Sequence, residues 1–256
     1  MTRMNARYVA LLAAIAATVG AIACSDDTAA PKAGDLNRVG HVVVIYLENR
    51  SFDNMYGEFP GADGLADAAT AMPQVDSASV VYDSLPEDAG QPYPTSLANA
   101  PFDIAQYVPP TVATRDLVHR FYQEQVQIDG GKMDKFVAVS DAKGLSMGHY
   151  HTSALPLATE AANYVLCDHF FHSAFGGSFL NHQYLIAAAP PVYQGAPASA
   201  VAVLDQAGNV VTDGYVTPDG YAVNTSFTVN TPHPANVTTG LVPSQTNPTI
   251  GDRLTA

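Results

Sequence analysis

The chain has 256 residues, with 11 Lys and Arg against 24 Asp and Glu, two cysteines and no tryptophan. An apolar content of 47% allows a full core and excludes global disorder. The net charge of -13 excludes a nucleic-acid partner, because phosphate backbones are bound by basic faces, and two cysteines are too few for a disulfide framework.

Residues 1–23 carry Arg3 and Arg7, then an apolar run from Tyr8 to Ala23, with no acid before Asp26. A basic start, an apolar stretch and small residues at the boundary make a secretory signal peptide. The rival reading is a membrane-spanning helix, for which the run is short. Ala21-Ile22-Ala23-Cys24 allows two cuts. One resembles a bacterial lipoprotein box, with Cys24 lipidated and Ala21 where Leu is usual; the other is an Ala-x-Ala site. The polar stretch from Ser25 to Gly34 favours the lipoprotein, with 24–40 as tether and the chain exported to the periplasm or outer membrane. Without residues 1–23 the balance is 9 bases to 24 acids, so attachment to anionic lipid by charge is excluded.

Val42 to Leu47 is a continuous β-branched run, which predicts a strand buried on both faces of a parallel sheet. It ends in Glu48, Asn49, Arg50 and Ser51, where functional groups of open α/β sheets gather. Residues 66–112 read as long loops with a short strand near Val80-Val81-Tyr82. Helices are expected over 116–127, 132–140, 155–164 and 178–189, with a strand at Tyr164–Cys167 that buries the Cys167 thiol. Turn residues across 201–230 predict an antiparallel hairpin insertion. Thr249 followed by Asp252 resembles a capping box.

Two stretches carry chemistry. In Glu48 to Asn54, hard oxygen ligands at a strand end make a divalent-metal half-site, or else Ser51 or Asp53 simply caps the next helix. In Phe175 to His182, two glycines precede a helix start whose free N–H groups favour an anion. Ser178 there is either a nucleophile toward phosphorus or the helix cap. Eight histidines are present; His149 and His151, flanking Tyr150, have metal-compatible spacing that is weak on its own.

VVIYLENRSFDNMYGEFPGADGL at 43–65 resembles the opening signature of the phosphoesterase family, which holds bacterial acid phosphatases and phospholipases C. LVHRFYQEQVQIDGGKMDKFV (117–137), GLSMGHYHTSALPL (144–157), FFHSAFGGSFLNHQYLIAAAP (170–190), DGYAVNT (219–225) and TIGDRL (249–254) agree in order. The resemblance implies an alkaline-phosphatase-like α/β fold with a mostly parallel sheet flanked by helices. It implies a divalent metal, of unspecified identity, at Glu48, Asn49 and Ser178, and a phosphoserine intermediate on Ser178. Asn181 and Lys132 would hold phosphate oxygens, and His119 would serve as a further catalytic group. Gly177-Ser178, where phospholipase C members usually carry Gly-Pro-Thr, points toward acid phosphatases and phosphomonoester substrates. Phospholipids are the alternative. His149 and His151 depart from the Tyr-Tyr-Asp-like pattern of that stretch. The remaining family ligands, an adjacent aspartate pair and a histidine, are expected in a C-terminal half, whereas the adjacent acidic pairs here are Asp26-Asp27 and Glu87-Asp88. The sequence is therefore expected to be an N-terminal portion of the fold, or else a truncated, non-catalytic surface lipoprotein.

Overall fold

The computed structural model describes residues 40–88, 96–153 and 155–255. The signal peptide, Cys24 and nearly all of the tether lie outside them. The chain divides into two units, Met1–Leu47 and Glu48–Ala256. In the first, residues 40–47 form neither helix nor strand, and Val43 is 83% exposed. The buried strand expected over 42–47 is thus corrected. A parallel strand needs neighbours to pair its N–H and C=O groups, and no strand pairs with this run among the described residues.

In the second unit, α1 is Phe52–Tyr56. Its cap is Ser51, whose Oγ accepts from the Asn54 N–H at 3.2 Å, so the capping reading of this stretch is realised. A parallel pair follows: β1, Phe102–Asp103, beside β2, Gly148–His149, with Asp103 opposite His149. Ile104, Val108, Ala142, Leu145 and Tyr150 form the core behind this pair. The Tyr150 hydroxyl donates to the Val108 carbonyl at 2.8 Å, so the buried ring keeps its polar end satisfied. Gly148 is required by contact, since a Cβ there would lie 2.6 Å from the Ile104 Cβ.

Helix α2 spans Phe121–Ile128 and begins five residues later than expected. Asp116 is the cause: its Oδ1 accepts from the Val118 N–H and pairs with the His119 ring, each at 2.8 Å. Such local side-chain bonds compete with helix formation. They hold Val118 at a φ of 56°, a strained value for a β-branched residue. The expected 132–140 helix shrinks to α3, Phe136–Val139, behind glycines at positive φ. Helix α4 is Pro156–Ala161, with proline in its first turn.

The strand expected at 164–167 is absent; Tyr164 and Val165 are 78% and 86% exposed, and Cys167 is exposed rather than buried. As with 42–47, an apolar run becomes a strand only where a neighbour accepts its hydrogen bonds. Near Val80, a single bridge, Val75 to Val81, takes the place of a short strand.

Helix α5, Ser178–Ala187, ends at Ala188 with a φ of 53°. The hairpin forms as expected, from β3, Val203–Leu204, and β4, Val210–Thr212. Asp205 Oδ1 accepts from the Ala207 and Asn209 N–H groups, and Gly208 takes a φ of 87° that suits glycine. Buried Val216 ties this insertion to Ala200 and Ala202 through backbone bonds of 3.0 and 2.8 Å. Helix α6, Ile250–Leu254, carries the predicted capping box at Thr249 and Asp252. The described residues thus mix helices with a small parallel pair and an antiparallel pair, an α/β composition.

Candidate functional site

Three segments meet around Ser178: the turn 116–120, the loop 174–177 and the insertion at 213–225. Gly177, not Ser178, caps α5, so Ser178 is the first helical residue and makes no side-chain cap bond. The Gly177 backbone lies against the turn: a Cβ there would sit 2.2 Å from the His119 carbonyl oxygen and 3.2 Å from its ring Cδ2. The close approach that the glycines signalled is therefore made to the His119 backbone. On the far side, Asn224 Oδ1 accepts from the Phe121 N–H at 2.9 Å, and Asp213 Oδ2 accepts from Arg120 Nε at 2.5 Å and Gln123 Nε2 at 2.9 Å. A pocket of about 170 Å³ results, lined by His119, Arg120, Gly177, Phe179 and Asn224 among others. It is below the roughly 300–1,000 Å³ of drug-sized sites and suits a small group. Ser178 is half-buried and lies in sequence between Gly177 and Phe179, which line the pocket, but is not itself a lining residue.

The electrostatics are mixed. The helix start contributes a positive end, and Arg120 lines the pocket while paired with Asp213. His119 is assigned as donating from Nδ1 to Asp116, which leaves Nε2 for other partners. Burial alone would raise the Asp116 carboxyl, but hydrogen bonds from His119 and the Val118 N–H outweigh it and hold the carboxyl below its usual range. Glu124, one turn into α2, is pushed up to about 7, mainly by burial, with the charge of His119 acting in the opposite sense. Neither Asp116 nor Glu124 was singled out by sequence. Asp116-x-x-His119 spacing was a readable signal; the burial of Glu124 was not.

The remaining site candidates fall in different places. Asn181 is buried, and its Nδ2 donates to the carbonyls of Gly176 (2.7 Å), Ala174 (3.1 Å) and Gly177 (3.3 Å) while its Oδ1 accepts from the Ala174 N–H. Its amide is engaged in shaping the loop before Ser178. Lys132 is exposed, pairs with Asp129 at 2.8 Å and does not line the pocket. Glu48 and Asn49 are both exposed, Asn49 at a φ of 75°. As oxygen donors they suit a hard cation, and no hydrogen bond or ion pair links them to Ser178 among the described residues.

A second cluster lies beside β2. Helix α1 docks on residues 148–152: Asn54 Nδ2 donates to the Gly148 carbonyl at 2.7 Å, the Tyr150 N–H to Asn54 at 2.9 Å, and the Thr152 hydroxyl to Met55. This places Glu58 against both histidines, Oε2 at 2.5 Å from His151 Nδ1 and Oε1 at 3.8 Å from His149 Nδ1. One ligand atom from each of the three lies within 4.8 Å of the others, a group able to hold a metal. Glu58 also lines a broader groove of about 720 Å³ with Tyr56, Phe59, Thr152 and Ala158.

These features define an α/β protein that presents a serine at a helix start beside a His-Asp pair, with a carboxylate-imidazole cluster elsewhere. The model of the Phosphoesterase family matches residues 39–256, and the chain belongs to that family. It is similar to a non-hemolytic phospholipase C of Pseudomonas aeruginosa, 29% identical over 153 residues, which are 59% of this chain and 20% of that protein. It is also similar to phospholipase C A of Mycobacterium tuberculosis, 24% identical over 167 residues, 62% of this chain and 31% of that protein. The chain thus spans between a fifth and a third of these relatives' lengths. No solved structure matches. No helix among the described residues is long and apolar enough to cross a membrane.

Proposed function

We propose that the chain carries the nucleophile-bearing part of a metal-dependent phosphoesterase of alkaline-phosphatase-like fold, acting first on phosphomonoesters. The observation that carries this reading is the start of α5, where Gly177 takes the cap and leaves Ser178 half-buried beside the turn that holds His119. In the reaction, Ser178 Oγ releases its proton to solvent and attacks phosphorus in line, the Oγ–P bond forms and the bond to the leaving oxygen breaks. His119 delivers a proton to that oxygen, with Asp116 keeping the imidazole oriented. Water then attacks the phosphoserine, the Oγ–P bond breaks, one water proton passes to Ser178 Oγ, phosphate leaves, and His119 regains a proton from solvent. Free N–H groups at the start of α5 face the phosphoryl oxygens. Asn181 holds the loop in shape, and Lys132 supplies positive charge at the surface. Glu48, Asn49 and Ser178 would hold a divalent cation, which when bound supplies positive charge to the serine oxygen and the phosphoryl group.

Phospholipid cleavage is the second reading, favoured by the names of both relatives, while the Gly177-Ser178 pair favours phosphomonoesters. Residues 1–23 would direct export, and lipidation at Cys24 would give attachment to a membrane. The test is turnover of a chromogenic phosphomonoester and of phosphatidylcholine by the purified chain with divalent cation supplied. Phosphomonoester turnover that disappears in Ser178→Ala is expected. Turnover undiminished in that variant overturns the mechanism, and turnover by the purified chain overturns the reading as a non-catalytic lipoprotein.

A further inference from the structure

We infer that Glu58, His149 and His151 form a binding site for a zinc-class divalent transition ion, with Asp103 orienting His151, and that this ion fastens the segment after α1 to the β1–β2 pair. The site shares no residue with Glu48, Asn49 and Ser178.

Four observations carry it. The donors converge from distant parts of the chain, 93 residues apart for Glu58 and His151, onto a span of 4.8 Å. A tetrahedral ion with bonds of about 2.0–2.1 Å needs ligand atoms spaced roughly 3.3 Å apart. The distances from Glu58 to the two imidazoles, 2.5 and 3.8 Å, bracket that spacing. Second, His149 is 9% exposed, yet its Nδ1 has no hydrogen-bond partner, since Glu58 at 3.8 Å is beyond hydrogen-bond reach. A buried ring nitrogen without a partner carries a desolvation cost that a metal bond removes. Third, His151 presents Nδ1 to Glu58, while its opposite nitrogen, Nε2, faces the Asp103 carboxylate at 3.6 Å. At that distance the contact is one of charge rather than a hydrogen bond, and it favours a protonated Nε2, which leaves Nδ1 for the ion. Fourth, the register of the parallel pair sets Asp103 opposite His149, so the carboxylate stands on the strand beside one ligand, and His151 follows two residues beyond that ligand.

Two imidazoles and one carboxylate favour zinc, cobalt or nickel over magnesium and calcium, which prefer oxygen. Three protein ligands leave a fourth position for solvent. Closing the link between residues 58 and 149–151 constrains the unfolded chain and adds binding free energy to folding.

The experiment is equilibrium dialysis of the purified chain against Zn²⁺ alone, together with Co²⁺ titration followed by visible absorption. At least one equivalent of Zn²⁺, a tetrahedral-type Co²⁺ spectrum displaced by Zn²⁺, and a Zn²⁺-dependent rise in Tm are expected. His151→Ala and Glu58→Gln, both at exposed positions, should each weaken binding at least about tenfold and abolish the Tm rise. Asp103→Asn should weaken binding about tenfold. The tetrahedral-type Co²⁺ band and the Tm rise that His151→Ala and Glu58→Gln remove should persist in Glu48→Gln and Ser178→Ala, which separates this site from the proposed catalytic one. The inference is overturned if the chain binds no equivalent, if binding survives both His151→Ala and Glu58→Gln with far-UV circular dichroism intact, or if it is lost with Glu48→Gln instead.

Discussion

The surroundings of Ser178 and the cluster at Glu58 are built by opposite means. Around Ser178 the determinants are short-range turns: Asp116 folds the backbone onto His119, Asn181 folds the 174–177 loop onto α5, and Gly177 lets the two turns touch. At Glu58, three side chains from two separated stretches converge through the docking of α1 on 148–152. The first arrangement positions backbone and a hydroxyl. The second concentrates nitrogen and carboxylate donors. A serine attacking phosphorus needs the former, and a transition ion needs the latter.

The comparison can be broken most sharply at Ser178. Ser178→Ala is expected to lower phosphomonoester turnover on the order of a thousandfold or more, measured by steady-state kinetics, because the proposed nucleophile has no substitute. Asp116→Asn should lower kcat by about tenfold with little change in KM, since the histidine keeps its place but loses its orienting charge. Gly177→Ala should destabilise the fold by about 1–3 kcal/mol in urea denaturation, because a methyl group cannot fit 2.2 Å from the His119 carbonyl. It should leave Zn²⁺ uptake at Glu58 intact; loss of both would mean that the two regions are one unit.

The Glu124 carboxyl is raised from 4.5 to about 7 in the folded protein. The unfolded chain therefore gives up this proton first. The contribution of Glu124 to stability is intact below about 4.5 and declines as pH rises through about 7. Glu124→Gln should flatten the pH dependence of the urea midpoint across that window; an unchanged slope would show that Glu124 is solvated. The smallest effect is expected at Thr249→Ala, in neither region. Loss of the capping box should speed amide exchange across α6 and cost about 0.5–2 kcal/mol locally.

Features that depend on neighbours in sequence were legible. The capping box at Thr249, the Asp205-Gly208 hairpin and the helix opening at Ser178 form where residue types predict them. The alternative roles of Ser51 and Ser178 were not, because a cap is chosen by backbone angles that residue type only biases. Ser51 became a cap and Ser178 did not. Helix 116–127 was overextended because its apolar spacing at Leu117 and Phe121 conceals the competing Asp116 turn.

By itself, then, the amino-acid sequence determined family membership, the hairpin turn, the capping box at Thr249 and the chemical types available for phosphate chemistry, all of which rest on residue order and short-range bonding. Tertiary structure alone decided that Val42–Ile45, Leu47 and Tyr164–Val165 stand exposed, that Gly177 meets His119, and that Glu58 meets His149 and His151. Those outcomes depend on which distant segment supplies the partner. A hydrophobic run or a His-x-His pair carries an affinity for a partner in its own residues, but not the partner's address.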